Sequence, residues 1–409
     1  MVQSRAVVVV IAVFGAMTLL GAVPGTARAA CPQQIAPPPP VDSSEVPAPG
    51  TLAPTPMSIP DRPIGGSRMG ECGLVLPDGA PVPPAAVNAM SWLIADADSG
   101  AVLAAKDPHA RHRPASTIKL LTALLVADQL PLDRVVEATQ ADADQEGSRV
   151  GLGPGGRYTV RQLLTGLLLA SGNDAAHALA NQLGGVAATV EQMNELATKL
   201  GARDTRAATP SGLDGPGMSS SAYDLALALR HVLSRPLLVE LLGTRQVNFP
   251  GFGGRPGFVV SNDNKLLRNY PGALGGKTGF TTDARHTLVD AAQRGGQRLI
   301  VVLLRGEQRP VSMSQQAALL LDYGFTLTPD NPIGRLVAEG EEPETAIFGP
   351  DATLGAIPAL PRPGARAIPH GVAGGSHRTG GPLPVVLWIG SAGIVLAVLG
   401  ALVARQRNR

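Results

Sequence analysis

Two cysteines in 409 residues are too few for a disulfide-built mini-domain or for a zinc site, which takes about four Cys/His ligands at close spacing. Aromatic residues make up only 3%, and the 34 Lys+Arg nearly cancel the 32 Asp+Glu. That balance lacks the concentrated basic footprint of a nucleic-acid binder. No run of like charges marks an acidic or basic tail. Among the charged residues lysine is scarcest. Only Lys106, Lys119, Lys199, Lys265 and Lys277 occur, so the other 29 basic residues are arginine. A guanidinium cannot replace an amine that must lose its proton, so a lysine kept in such a background draws attention. The abundant residues are glycine (49), proline (37) and the aliphatics. At about 150 residues per domain, the length allows two or three units, or one large domain with appendages.

Much of the apolarity sits at the two ends. Ala6 to Val23 is almost wholly apolar, follows Arg5, and precedes Pro24, Gly25 and Ala27-Arg28-Ala29. This pattern predicts a signal peptide over residues 1–29; an uncleaved anchor is the alternative. Val385 to Val403 carries no charge and leads into Arg405, Arg407 and Arg409. It reads as a transmembrane helix at 385–403 with a cytoplasmic tail at 404–409. The expected location is therefore the cell membrane, single-pass, with the rest of the chain on the extracytoplasmic side. In that oxidising compartment Cys31 and Cys72 are expected to pair. Residues 30–86 and 328–384 read as linkers. The first holds 15 prolines between Pro32 and Pro84, including Pro37 to Pro40, and is expected to be a disordered, polyproline-like spacer. The second is rich in Pro and Gly and reads as a flexible tether.

What remains, residues 87–327, reads as one domain. Ser91 to Asp96 and Ala101 to Ala105 flank Asp98-Ser99-Gly100 as a β-hairpin would. Ser116 to Gln129 is apolar nearly all round and predicts a buried helix. Helical spacing also marks Val160 to Leu183, Val190 to Leu200, Ser219 to Leu233 and Ser312 to Tyr323. Thr287 to Ala292 and Arg298 to Leu304 read as adjacent strands. Strands at both ends with helices between them imply an α+β fold, an α/β sandwich.

Three short motifs carry chemistry. In Ser116-Thr117-Ile118-Lys119 the hydroxyl and the amine lie at i and i+3 on one helix face. A serine needs a neighbouring base, and a buried lysine beside another cation can lose its proton and serve as one. Ser171-Gly172-Asn173 places a hydroxyl and an amide two residues apart; alone it is as readily a polar loop or helix cap. Lys277-Thr278-Gly279 offers a cation and a hydroxyl to an anionic group, with a glycine where a ligand could approach the backbone. A phosphate-binding loop is excluded, because Pro271 stands where that pattern needs glycine.

In this order, with gaps of about 50 and 100 residues, the set resembles the signature of penicillin-binding proteins and class A β-lactamases. The stretches Val190 to Gly201, Thr209-Pro210-Ser211-Gly212-Leu213-Asp214, Ser221 to Ala226 and Asn262 to Leu267 resemble serine-type D-alanyl-D-alanine carboxypeptidases, the low-mass penicillin-binding proteins. The resemblance covers about Ser91 to Leu304, with Thr209 standing where that family often has Asn before Pro. It implies an antiparallel sheet with helices on both faces and a helical subdomain. It also implies roles. Ser116 attacks the carbonyl between the two terminal D-alanines of a peptidoglycan stem peptide, and Lys119 takes its proton. Ser171 relays a proton to the leaving D-alanine, and Asn173 holds the peptide amide and Lys119. Lys277 and Thr278 bind the terminal carboxylate, with Gly279 beside them. Backbone N–H groups of Ser116 and Phe280 form the oxyanion hole. No metal or cofactor is implied, and β-lactam antibiotics are implied as covalent inhibitors. The alternatives are a class A-like β-lactamase, which would need a glutamate such as Glu191 to activate water, and a non-catalytic receptor for penicillin or cell-wall peptide. With Lys119 as base, His177 and His286 are expected to be surface or packed residues.

Overall fold

Aliphatic segments from the two ends of the middle region fold together into one antiparallel sheet. The computed structural model describes residues 31–341. The expected signal peptide, transmembrane helix and cytoplasmic tail lie outside the described residues, as does most of the 328–384 tether. Among the described residues no helix is long and apolar enough to cross a membrane.

In chain order the first half runs α1 (Pro32–Ile35), β1 (Leu74–Val75), β2 (Ser91–Asp96), β3 (Ala101–Lys106), α2 (Lys119–Gln129), β4 (Val135–Glu137), α3 (Gln140–Ala143), β5 (Arg157–Thr159), α4 (Val160–Leu169), α5 (Asn173–Gln182) and α6 (Val186–Lys199). The second runs α7 (Ala222–Leu233), α8 (Pro236–Gly243), β6 (Gln246–Phe249), β7 (Phe258–Ser261), α9 (Lys265–Asn269), β8 (Ala273–Thr281), β9 (Arg285–Arg294), β10 (Gln297–Gly306), α10 (Met313–Gly324) and β11 (Gly334–Arg335). The main sheet has the order β1-β3-β2-β10-β9-β8, with β11 on β3. β2 and β10, far apart in sequence, pair at its centre through Ile94↔Val301 and Leu93↔Val302.

Both faces of that pair are apolar, so both are covered. Leu93, Ala95, Ile300, Val302 and Leu304 join one core with the helical block. Trp92, Ile94, Leu299, Val301 and Leu303 join another, in which Met313, Ala317, Leu320 and Leu321 of α10 close the opposite face. Each fully buried Val, Leu or Ile stabilises by roughly 1.5–3 kcal/mol. The α+β sandwich, antiparallel and helix-covered on both sides, is the architecture expected from the sequence.

Three local expectations need correction. Val160 to Leu183 is two helices, broken where Ser171 takes a left-handed φ of 56°. Residues 30–86, expected as a disordered spacer, are not free where described. The segment holds α1 and β1 and is docked on the domain. Proline lacks an N–H but keeps its carbonyl, and carbonyls of this segment accept hydrogen bonds from Arg111, Arg113 and Arg206. Cys31 and Cys72 form a disulfide, with Cα atoms 5.7 Å apart. Finally, the domain continues past 327, since β11 pairs with β3 and Ile333, Leu336 and Val337 are buried.

Candidate active site

Pro114, with helical backbone angles, precedes a one-turn 3-10 helix, Ala115–Ile118, that leads directly into α2. Ala115 has φ 47°, a sparsely populated conformation for a residue with a Cβ, held by its surroundings. The turn leaves Ser116 partly exposed and buries Lys119 completely. Lys119 Nζ lies 2.9 Å from Ser116 Oγ and 2.7 Å from Asn173 Oδ1, and it also donates to the Ser211 carbonyl. Burial first, and then the Lys277 ammonium, hold the Lys119 pKa well below the usual lysine value, against the pull of Asp263 and Asp174. A neutral amine here donates to Asn173 and Ser211 and keeps its lone pair for the Ser116 hydroxyl proton.

The break between α4 and α5 positions the second motif. Asn173 begins α5, and its Nδ2 donates to the Glu146 carbonyl at 2.6 Å, which turns its Oδ1 toward Lys119. Buried Asp174 accepts N–H groups of Val150, Gly151 and Leu152 at 2.8–2.9 Å and fixes the adjoining loop. Ser171 lines the same cavity as Ser116.

The third motif lies on β8. Thr278, Gly279 and Phe280 line the cavity, of about 290 Å³. Lys277 is fully buried, donates to the Thr278 carbonyl at 2.9 Å and lies 3.6 Å from Asp263, itself a lining residue. Burial lowers the Lys277 pKa, opposed by Asp263. Gly279 is required by closeness. A Cβ there would stand 2.8 Å from the Ser116 nitrogen and 2.4 Å from Thr287 Oγ1. Gly212, at φ 84°, allows the same approach from the other side, since a Cβ would meet the Ala115 carbonyl oxygen at 2.1 Å. Thr209 shapes that loop, with Oγ1 accepting from Gly212 N at 3.0 Å.

The structure therefore brings Ser116, Lys119, Ser171, Asn173, Lys277, Thr278, Gly279 and Phe280 together. Sequence reasoning gave no role to Asp263 or to the Ser211 carbonyl. An acid between Asn262 and Asn264 was a visible signal for the first; a backbone acceptor leaves none. His286 lies at the cavity wall, its ring centroid 4.5 Å from that of Phe280, while His177 is hydrogen-bonded to Asp142. Glu191 stands exposed on α6 and is not among the residues lining the cavity.

The D-alanyl-D-alanine carboxypeptidase family matches residues 79–308, more than half the chain and every residue of this site. The chain belongs to that family. One family member, the D-alanyl-D-alanine carboxypeptidase DacB2 of Mycobacterium tuberculosis, is 47% identical over 252 residues, which is 61% of this chain and 86% of DacB2. The crystal structure of a D-alanyl-D-alanine carboxypeptidase from the same organism superposes with a TM-score of 0.62 at 45% identity, covering 64% of this chain and all of the other. The Streptomyces K15 DD-transpeptidase superposes at 0.57 with 31% identity, over 60% of this chain and all of its own.

Proposed function

We propose that this serine hydrolase removes the terminal D-alanine from peptidoglycan stem peptides through an acyl-enzyme on Ser116. The observation that carries the reading is the 2.9 Å contact between Ser116 Oγ and a wholly buried Lys119 amine with a depressed pKa. Lys119 takes the hydroxyl proton as Ser116 Oγ bonds to the carbonyl carbon between the two terminal D-alanines. The negative charge that develops on the carbonyl oxygen faces the N–H groups of Ser116 and Phe280, donors of a kind worth about 3–4 kcal/mol each. As the C–N bond breaks, the leaving amine takes a proton through Ser171. Water then cleaves the ester and restores the serine. Lys277 and Thr278 bind the terminal carboxylate, and Asn173 holds the peptide amide. A β-lactam acylates Ser116 by the same first step.

The uncharged stretch at 385–403 and the apolar stretch at 6–23 support a location on the outer side of the cell membrane, anchored by the C-terminal segment. Exposed Glu191 leaves the β-lactamase reading without its water-activating glutamate. The test is D-alanine release from a peptide ending in D-Ala-D-Ala, with and without an amine acceptor. Release that Ser116→Ala abolishes supports the reading. Rapid penicillin turnover without D-alanine release would overturn it.

A further inference from the structure

Three regions outside the catalytic cluster stand out: the buried His109, Asp204 and Asp224 group, the fully buried Asp290, and the docked N-terminal segment. The first could be taken for a metal site. However, both His109 ring nitrogens have partners, Asp204 at 2.7 Å and the Ile64 carbonyl at 3.0 Å, and Asp204 also accepts from Arg111 at 3.0 Å. Burial alone would lower the His109 pKa, and the Asp204 carboxylate more than reverses this. The group is an ion network, and it belongs to the third feature.

The docked segment reaches both walls of the active site. On the nucleophile's side, buried Arg111 donates to the carbonyls of Ile35 at 2.9 Å, Met57 at 2.8 Å and Ser58 at 2.7 Å, while Asp204 fixes its Nε. Buried Arg113 donates to the Pro38 carbonyl at 2.6 Å and pairs with Glu45. On the other side, buried Asp283 accepts from the Val41 N–H at 2.6 Å and from Ser44 Oγ at 3.4 Å. Arg113 lies three residues before Ser116, and Asp283 lies three residues after Phe280. The Pro38 anchor lies inside the run Pro37 to Pro40, and the Val41 anchor follows the run directly. A four-proline run favours an extended conformation of about 3.1 Å per residue with little freedom to contract. The Cys31–Cys72 disulfide closes the segment back on itself.

We propose that residues 31–59 form a clamp that sets the gap between the Ser116 turn and β8, so that Arg113, Asp283 and the proline run are positioning elements for the oxyanion site. The strained Ala115 supports this, since such a conformation persists only where its surroundings over-determine it. The clamp is also economical in sequence. From the segment it draws on carbonyls, the Val41 N–H, the Ser44 hydroxyl and the Glu45 carboxylate, and the walls supply the other charged groups. This inference rests on Ser116 being the nucleophile, and its test separates the two claims.

The test uses the full chain. Val41→Pro removes the N–H given to Asp283 while extending the proline run. Glu45→Gln removes the charge facing Arg113. Cys31→Ser with Cys72→Ser opens the closed segment. For each, the acylation rate with penicillin, kcat and KM for D-alanine release, the melting temperature and hydrogen exchange over 31–59 are measured. We expect acylation and kcat to fall by about tenfold with KM within about twofold, as sub-ångström misplacement of a reacting centre does. Faster exchange over 31–59 with kcat within about twofold of wild type would overturn the clamp, whatever the melting temperature does. If the double cysteine variant does not fold, the two single variants decide the matter. A wild type that penicillin does not acylate would instead refute the assignment of Ser116.

Discussion

Replacing Gly279 with alanine tests the geometry of the site at its tightest point. A Cβ there would lie 2.4 Å from Thr287 Oγ1, 2.8 Å from the Ser116 nitrogen and 3.0 Å from the Ala115 Cβ. Ordinary van der Waals contact begins near 3.5 Å, so β8 and the nucleophile turn must separate by roughly 0.5–1 Å. Thr287 cannot simply swing away, because its Oγ1 donates to the Pro114 carbonyl at 2.8 Å, two residues before Ser116. A displacement of about 1 Å at a reacting centre costs on the order of a hundredfold in rate. The expected result is therefore a fall of roughly two orders of magnitude in acylation by a fluorescent penicillin and in D-alanine release. The melting temperature should move by only a few degrees, since the strain is local. Acylation by Gly279→Ala at the wild-type rate would refute the claim that β8 and Ser116 form one preorganised pocket.

Three further outcomes follow from the charged groups of the site and the sheet. Lys119 acts when neutral, so activity should rise with pH, and its depressed pKa places that rise well below the value of about 10.4 for a free lysine. Asp263 opposes that depression, so Asp263→Asn should move the rising limb to lower pH; a pH–rate profile of acylation checks this, and an unmoved limb would count against it. Burial pushes Asp290 up to about 7, despite the hydrogen bond from Asn264 Nδ2 at 2.6 Å. The folded protein then binds the proton more tightly than the unfolded chain, so Asp290 detracts from stability as pH rises from about 4 through about 7. Asp290→Asn should be more stable than wild type at pH 8, by up to roughly 4 kcal/mol, with the difference vanishing near pH 4. Melting curves at both pH values measure it, and a pH-independent difference would exclude this cause.

The sequence carried the parts of the fold that depend on side-chain period. The hairpin around Gly100, the buried helix after Ser116 and the strands at 285–306 were legible because their apolar residues recur at the spacing of the element. The break at Ser171 was not, since the apolar run from Leu163 to Ala180 passes through it and only Ser171-Gly172 marks the turn. The docked N-terminal segment was least legible. Many of its contacts are backbone carbonyls held by Arg111, Arg113 and Arg206, and a carbonyl leaves no trace in composition. For the site, the three motifs and the family resemblance supplied Ser116, Lys119, Ser171, Asn173, Lys277, Thr278, Gly279 and Phe280, but neither Asp263 nor the reason they meet: the Ser211 carbonyl on Lys119 and the missing Cβ atoms of Gly212 and Gly279 are visible only in three dimensions.

Intact mass after penicillin treatment, followed by peptide mapping of the adduct, decides whether Ser116 is the nucleophile and Lys119 its base. One penicilloyl group per chain is expected, on Ser116, absent from Ser116→Ala and formed far more slowly in Lys119→Ala. An adduct that persists in Ser116→Ala, or that maps to any other residue, would overturn the assignment.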